Sequence, residues 1–282
     1  MPELPEIETI KLGLQKKIIG LKIQKIQVLS AKSFIGNPNL VEGKKVLKIE
    51  RRAKLLMIDL DKIILLFHLK MSGQLIFDDG KRFIGGHPTP DMVGPMPNNH
   101  TRVIFSFADG SHLYFNDQRK FGWIRVVDSG QISGDSSLKN LGPEPLEKEF
   151  TWQILKQNLL KHKSMSVKVA IMDQAVVSGV GNIYANEACF SAGIDPRTKV
   201  SQLTDKDMQS LHRGVLKALR DGIKHGGSTR AHFVDAEGHK GYFLDYAKVY
   251  WRDRHPCKKC GTEIKKIQLG GRGTYLCPNC QK

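Results

Sequence analysis

Four of the five cysteines in this 282-residue chain stand in two matched pairs, Cys257-x2-Cys260 and Cys277-x2-Cys280, with sixteen residues between them. That spacing suits one four-thiolate zinc ion, because each CxxC turn can present two sulfurs to the same edge of a tetrahedron. With every position filled by protein, the zinc would be structural and closed to substrate. Between the pairs lies "IQLGGRGTY", which reads as a hairpin tip: Gly270, Gly271 and Gly273 allow a tight turn, and Arg272 sits among them. On a small rigid ribbon an arginine can push its guanidinium against a phosphate or into a groove; the plainer reading is a solvated turn residue. The remaining cysteine, Cys189 in "NEACFSAG", reads as a buried apolar filler.

The opening stretch, "MPELPEIET", is the second place where residue types are unusual. Proline suits a first helical turn, where its missing N–H would be unpaired anyway. Glu3, Glu6 and Glu8 suit the positive end of a helix dipole, and Ile7, Ile10, Leu14 and Ile18 follow at helical spacing. An amphipathic helix therefore starts at once, with no leader before it.

These residues need elements to hold them. After the first helix, "LKIQKIQV", "KVLKIE", "KLLMIDL" and "IILLFHL" read as strands, and "TRVIFSF" puts Val103, Phe105 and Phe107 on one face. "ADGS" then turns into "HLYF" as a hairpin, and the Pro/Gly-rich stretch 85–98 reads as a surface loop. Beyond "LGPEPLE" the pattern becomes helical, over about 151–161, 166–176, 182–191 and 204–223, the last opened by Thr204 with Asp207 three residues on. The fold class expected is α+β and multidomain. A β-sandwich domain with a long N-terminal helix spans 2–135, a linker 136–146, a helical domain 147–245 and a zinc ribbon 246–282.

Lysine and arginine number 44 against 28 aspartates and glutamates, a net charge of +16 spread along the chain. Nucleic acid or an anionic membrane is the usual partner of such a surface. The longest apolar runs are far too short to span a bilayer, and the acidic start lacks the features of a signal peptide. An intracellular protein is expected, and that compartment argues against disulfides among the cysteines.

"MPELPEIET", "RRAKLL", "HLKMSGQL", "NDQRKFGW", "LGPEPL", "SGVGNIYANE" and "CKKCG…GGRGTYLCPNCQ" occur in that order. Together they closely resemble the bacterial formamidopyrimidine-DNA glycosylase family, which includes endonuclease VIII. The resemblance runs from residue 2 to residue 281. It implies a β-sandwich, a helix–two-turn–helix domain and a zinc ribbon, and an enzyme that repairs oxidised bases in double-stranded DNA and cuts at abasic sites. It implies one structural zinc, a monomer, no membrane partner, and a place in the bacterial cytoplasm at the nucleoid.

The same resemblance implies roles for single residues. Pro2, freed by removal of Met1, would be the amine that attacks C1′ and forms a Schiff base, with Glu3 as the acid/base beside it and Glu6 supporting the helix start. Lys54 would serve β-elimination or hold the adjacent phosphate, and Arg272 would grip phosphate for δ-elimination. Met71, Arg119 and Phe121 would fill the gap left by a flipped-out nucleotide: Met and Phe can unstack a base step, and Arg can hydrogen-bond the widowed partner. His100, Lys163 and Asn182 would contact DNA, Asn182 at a helix N-terminus that Gly179 and Gly181 open to an anion, and Lys168 would approach the lesion. The 226–243 loop would cap the flipped base. Gln118 and Lys120 depart from the proline and arginine common in the family, and the loop's "TRAHF" is less typical. Two other readings stand beside this one: an endonuclease VIII-like preference for oxidised pyrimidines, and a zinc-ribbon DNA-binding protein without chemistry.

Overall fold

The computed structural model describes residues 1–86, 94–228 and 243–282. The chain divides into two compact units. One holds Met1–Lys139 with the segment that begins at Gly226, and the other holds Asn140–His225 and Phe243–Lys282.

The first unit opens with helix α1, Leu4–Ile18. The expected start is shifted by two residues: Glu3 is the N-cap, and its N–H donates to Glu6 Oε2 at 2.8 Å. Pro5 takes the first turn, where no donor is needed. Ile7, Ile10, Leu14 and Ile18 are all buried, each contributing about 1.5–3 kcal/mol by removal from water.

Ten strands follow: β1 Ile23–Val28, β2 Phe34–Ile35, β3 Lys48–Arg52, β4 Leu55–Asp59, β5 Ile63–His68, β6 Gly73–Asp78, β7 Arg82–Gly86, β8 Thr101–Phe107, β9 His112–Asp117 and β10 Trp123–Asp128. Among the described residues they form two five-stranded sheets, ordered β1-β8-β9-β6-β7 and β2-β10-β5-β4-β3. All pairings are antiparallel except the short β2–β10 contact. One core joins both sheets and α1. Val103, Phe105 and Phe107 enter it from one sheet and Leu65, Phe67 and Ile124 from the other, and the Phe67 and Phe105 rings lie 5.9 Å apart. This is the expected sandwich with its helix. The expected loop at 85–98 gives up its first two residues to β7, and 87–93 lie outside the described residues.

A short helix α2, Ser136–Lys139, ends the first unit's opening segment. The second unit holds α3 Trp152–Leu159, α4 Val167–Ala170, α5 Asn182–Ala192, α6 Asp205–Lys224 and α7 Phe243–Tyr246. A hairpin of β11 Lys265–Leu269 and β12 Arg272–Leu276 closes the chain. The box at the start of α6 is as read: Thr204 N–H donates to Asp207 Oδ2 at 2.9 Å, and Asp207 N–H to Thr204 Oγ1 at 3.2 Å. The helix expected over 166–176 is a correction, since α4 stops at Ala170. Side chains there offer the backbone other partners. Asp173 Oδ1 accepts Ala175 N–H at 2.9 Å, and the Gln174 side chain bonds Met172 O, Val180 O and Gly179 N–H at 2.8 to 2.9 Å. The residues 229–242 of the expected 226–243 loop lie outside the described residues. Among the described residues no helix is long and apolar enough to cross a membrane.

Candidate active site

Pro2 is buried just ahead of α1, between exposed Met1 and buried Glu3. Lys54 comes to the same place from far along the chain. It occupies the two-residue turn between β3 and β4, where Ala53 adopts φ +53° and Arg52 pairs with Leu55. Arg51 fixes that turn to the helix: Nε donates to Glu8 Oε2 at 2.9 Å and Nη1 to Ala53 O at 3.1 Å. Burial pushes the Glu8 pKa up, but the bonds from Lys11 and Arg51 outweigh it and hold the carboxyl below its ordinary value.

Lys54 is only 6 % exposed. Burial drives its pKa down, and the carboxylates of Glu3 and Glu6 resist without cancelling the shift. Glu6 also receives the Ser228 N–H on Oε1 at 2.7 Å, so one carboxylate caps α1 and holds the chain at residue 228. A buried pyrrolidine nitrogen position, an adjacent carboxylate and an ammonium shifted toward neutrality are the parts needed for nucleophilic attack with proton transfer.

Met71 and Phe121 are 36 % and 55 % exposed, so neither is core packing. Both sit on turns at one end of the sandwich strands, Met71 between β5 and β6 and Phe121 between β9 and β10. Arg119 is exposed as well, and its guanidinium lies 4.8 Å from the centre of the Phe121 ring. His100 is half-buried at the start of β8, and its carbonyl accepts Asp117 N–H at 2.9 Å. Sequence reading passed over His68. Burial first, then the Lys70 and Lys54 charges, push its pKa down to about 3. The neutral ring can accept Lys70 N–H on Nδ1 at 3.0 Å, which sets the turn leading to Met71.

In the second unit Lys163 is exposed, whereas Lys168 is wholly buried in α4. The Lys168 ammonium donates to Asn182 Oδ1 at 2.5 Å and Thr274 Oγ1 at 3.0 Å. Asn182 Nδ2 donates to Gly273 O at 3.2 Å, so Asn182 begins α5 with its amide turned to the β11–β12 hairpin. Arg272 opens β12 and is exposed. Gly270 and Gly271, at φ +56° and +69°, make the two-residue turn before it, a geometry that needs positive φ at both positions. Gly273 lies in the strand rather than the turn.

Glu187 also escaped sequence reading. It is buried in α5, where Oε1 accepts Val249 and Tyr250 N–H and Oε2 accepts Lys248 N–H, each at 2.9 Å. The bonds fasten α5 to the segment entering the ribbon, and only an acidic residue inside an otherwise uncharged helix could have signalled it. Cys189 in the same helix is fully buried, and burial pushes its pKa up to about 12, leaving an inert thiol.

The four ribbon cysteines bring their Sγ atoms within 4.8 Å of one another. Cys257 and Cys280 are 3.9 Å apart and Cys260 and Cys277 3.5 Å. A tetrahedron of thiolates around zinc has edges of about 3.8 Å, so the residues fit the metal.

The chain matches the model of the formamidopyrimidine-DNA glycosylase N-terminal domain over residues 1–124, that of the H2TH domain of the same enzyme over 141–233, and that of a zinc finger found in FPG and IleRS over 254–282. It is 39% identical to the formamidopyrimidine-DNA glycosylase of Pelotomaculum thermopropionicum, covering 100% of this chain and 99% of that one. Identity to the protein of that name in Bacillus subtilis is 38%, with the same coverage. Among solved structures, a complex of Lactococcus lactis Fpg with DNA containing an abasic site superposes with TM-score 0.87 at 29% identity, over 99% of each chain. The MutM (Fpg) protein of Thermus thermophilus gives 0.85 at 32% identity, over 99% of this chain and 98% of that one.

Proposed function

The chain belongs to the formamidopyrimidine-DNA glycosylase family, and from that membership we infer that it removes oxidised purines, 8-oxoguanine and formamidopyrimidines, through a covalent adduct on Pro2. It is a base-excision repair enzyme, a DNA glycosylase and AP lyase that acts on double-stranded DNA and carries one structural zinc. The observation that supports the mechanism best is the gathering at the start of α1, where Lys54 lies within electrostatic reach of Glu3 and Glu6 and is driven toward neutrality by burial.

With Met1 removed, Pro2 carries a secondary amine that titrates near about 7.7–8, so a useful fraction is unprotonated at neutral pH. Its lone pair forms the N–C1′ bond while the glycosidic bond breaks and the base leaves with a proton. The C1′–O4′ bond then opens, O4′ takes a proton from Glu3, and the nitrogen, having lost its own proton, becomes an iminium. The iminium acidifies C2′–H. Loss of that proton expels the 3′ phosphate, a second elimination from C4′ expels the 5′ phosphate, and water releases the amine. Lys54 is assigned to proton transfer in the first elimination or to the adjacent phosphate. Arg272 is assigned to phosphate in the second. Zinc takes no part in these steps and supplies the fold that carries Arg272.

Met71, Arg119 and Phe121 are assigned to the gap in the duplex, and His100, Lys163 and Asn182 to its backbone. Lys168 is assigned to the lesion side through Asn182 and Thr274, which accept from its ammonium. The boundaries 2–135, 136–146, 147–245 and 246–282 and a monomeric state are proposed with this reading. The relatives are bacterial, which supports a place in the bacterial cytoplasm, at the nucleoid where the substrate lies.

Duplex DNA with 8-oxoguanine opposite cytosine, incubated with the protein and borohydride, should give a covalent protein–DNA band, since hydride reduces the iminium to a stable amine. Faster trapping on an oxidised pyrimidine would move the enzyme to the endonuclease VIII preference. No band on either substrate would leave only a DNA-binding protein. Affinity for undamaged duplex should also fall on the order of a thousandfold between ~50 and ~200 mM salt, as phosphate contacts from this basic surface release counterions. A flat salt response in fluorescence anisotropy would contradict that.

A further inference from the structure

Met71 and Phe121 belong to loops far apart in sequence, yet one buried carboxylate serves both. Asp117, the last residue of β9, is fully buried. Its Oδ1 accepts Ser72 Oγ–H at 2.5 Å and Arg119 N–H at 3.2 Å, and its Oδ2 accepts Gly122 N–H at 2.6 Å. Ser72 Oγ in turn accepts Arg119 N–H at 3.0 Å. The bonds therefore reach the residue after Met71, the backbone of Arg119 and the residue after Phe121. The main chain of Asp117 extends the hub. Its N–H donates to His100 O at 2.9 Å, and its carbonyl accepts Arg102 Nε at 2.8 Å. Gly122 is required at its place, since a Cβ there would stand 2.8 Å from the Phe115 ring and 3.1 Å from Asp117 Oδ2.

We propose that Asp117, coupled through the Ser72 hydroxyl, is a positioning residue that joins the Met71 loop and the Arg119–Phe121 loop into one rigid wedge, so that the three side chains enter the duplex as a unit. The proposal rests on the assignment of those side chains to the gap in the duplex. Its physical basis is preorganisation. A loop already fixed in the inserted geometry loses little freedom when it enters DNA, whereas independent loops must be ordered at that moment. Turns of this kind would otherwise be mobile, because they lie at the surface and Met71 and Phe121 have few neighbours to hold them. A carboxylate can serve as the hub because it accepts several N–H and O–H bonds and donates none.

The test uses Ser72→Ala, Ser72→Thr and Asp117→Asn in the full-length zinc-loaded enzyme, on duplex carrying 8-oxoguanine beside 2-aminopurine, whose fluorescence reports unstacking. Ser72→Ala should slow single-turnover excision from duplex on the order of 10- to 100-fold and flatten the 2-aminopurine rise. Cleavage at an abasic site in a single strand, where no stack is opened, should be unchanged. Ser72→Thr, which keeps the hydroxyl, should restore the duplex rate. Asp117→Asn turns an N–H donor toward donors and should do at least as much damage as Ser72→Ala. If it fails to fold, the Ser72 pair still decides. Wild-type fluorescence and rate in Ser72→Ala, with both lost in Met71→Ala, would overturn the coupling alone. Wild-type fluorescence in Met71→Ala and Phe121→Ala as well would overturn the wedge assignment and the proposal with it.

Discussion

Enzyme that keeps Met1, or carries an acyl group on Pro2, loses base excision and the borohydride-trapped adduct together, by about four powers of ten or more. The reason is electronic. In the chain with Met1 attached, the Pro2 nitrogen is a tertiary amide whose lone pair is delocalised into the carbonyl, so it has none to give to C1′. The blocked enzyme should still fold, because the α1 start is capped by Glu6 and packed through Ile7, Ile10 and Leu14 rather than through the terminus. Its affinity for lesion duplex should stay within a few-fold of wild type, which separates loss of chemistry from loss of binding. Lys54 is the competing nucleophile. Burial lowers its pKa, which makes it a better amine than an exposed lysine. Peptide mapping of the trapped adduct decides between them: the sugar on Pro2 is expected, and an adduct on Lys54 in blocked enzyme would falsify the assignment. The pH dependence has a definite sign. The attacking amine must be unprotonated, so single-turnover excision should rise as pH passes through the α-amino range of about 7.7–8.

What the sequence made legible was local. The α1 repeat, the Thr204–Asp207 box, the Asp-Gly hairpin before β9, the Gly270–Gly271 turn and the two CxxC pairs each depend on residues a few positions apart, and each stands in the structure as read. Strand β6 was not legible because Gly73–Phe77 is buried without alternation. Leu75 and Phe77 face the main core, while Ile76 meets Ile104 and Tyr114 in a second small cluster on the other face of the sheet. A strand covered on both sides loses the period-two signal. The end of α4 was illegible for a different reason, since Gln174 is a good helix former whose amide is taken by Gly179 and Val180. The sites are the least local of all. Nothing near Lys54 announces Glu3, nothing near Ser72 announces Asp117, and a lysine in "SVKVAIMD" gives no hint that Thr274 will meet it 106 residues later. The family resemblance supplied residues for the site, but only geometry supplies what holds them.

Stripping the zinc should cost on the order of a hundredfold in affinity for lesion duplex, the second large effect, and it should do so by undoing the ribbon first. The ribbon has little else to fold around. Its core cluster comprises Val249, Cys257, Ile264, Tyr275 and Cys277, and two of these five are ligands. Binding of zinc to such a site is worth about 10–16 kcal/mol, more than the roughly 4.5–9 kcal/mol that burial of the three members that are not ligands, Val249, Ile264 and Tyr275, supplies. The loss should spread in a defined direction. When the hairpin unfolds, Gly273 O leaves Asn182 Nδ2, Thr274 Oγ1 leaves Lys168 Nζ, and Tyr275 N–H leaves Asn186 Oδ1. Lys168 is then a buried ammonium with one of its two named partners gone, an arrangement that is relieved only if α4 and the α5 start loosen and admit water. The assigned phosphate contacts of Asn182 and Arg272 should therefore fail together. The Met1–Lys139 sandwich, which contributes no ligand, should melt at an unchanged temperature. Arg272→Ala in zinc-loaded protein isolates the arginine: it should weaken binding less than chelation does and should spare the α5 start, as read by hydrogen exchange at Asn182 and Ile183. A chelated protein that has released one zinc per chain yet binds lesion duplex as tightly as before would show that the ribbon stands without its metal, and that Arg272 is held by something other than the hairpin.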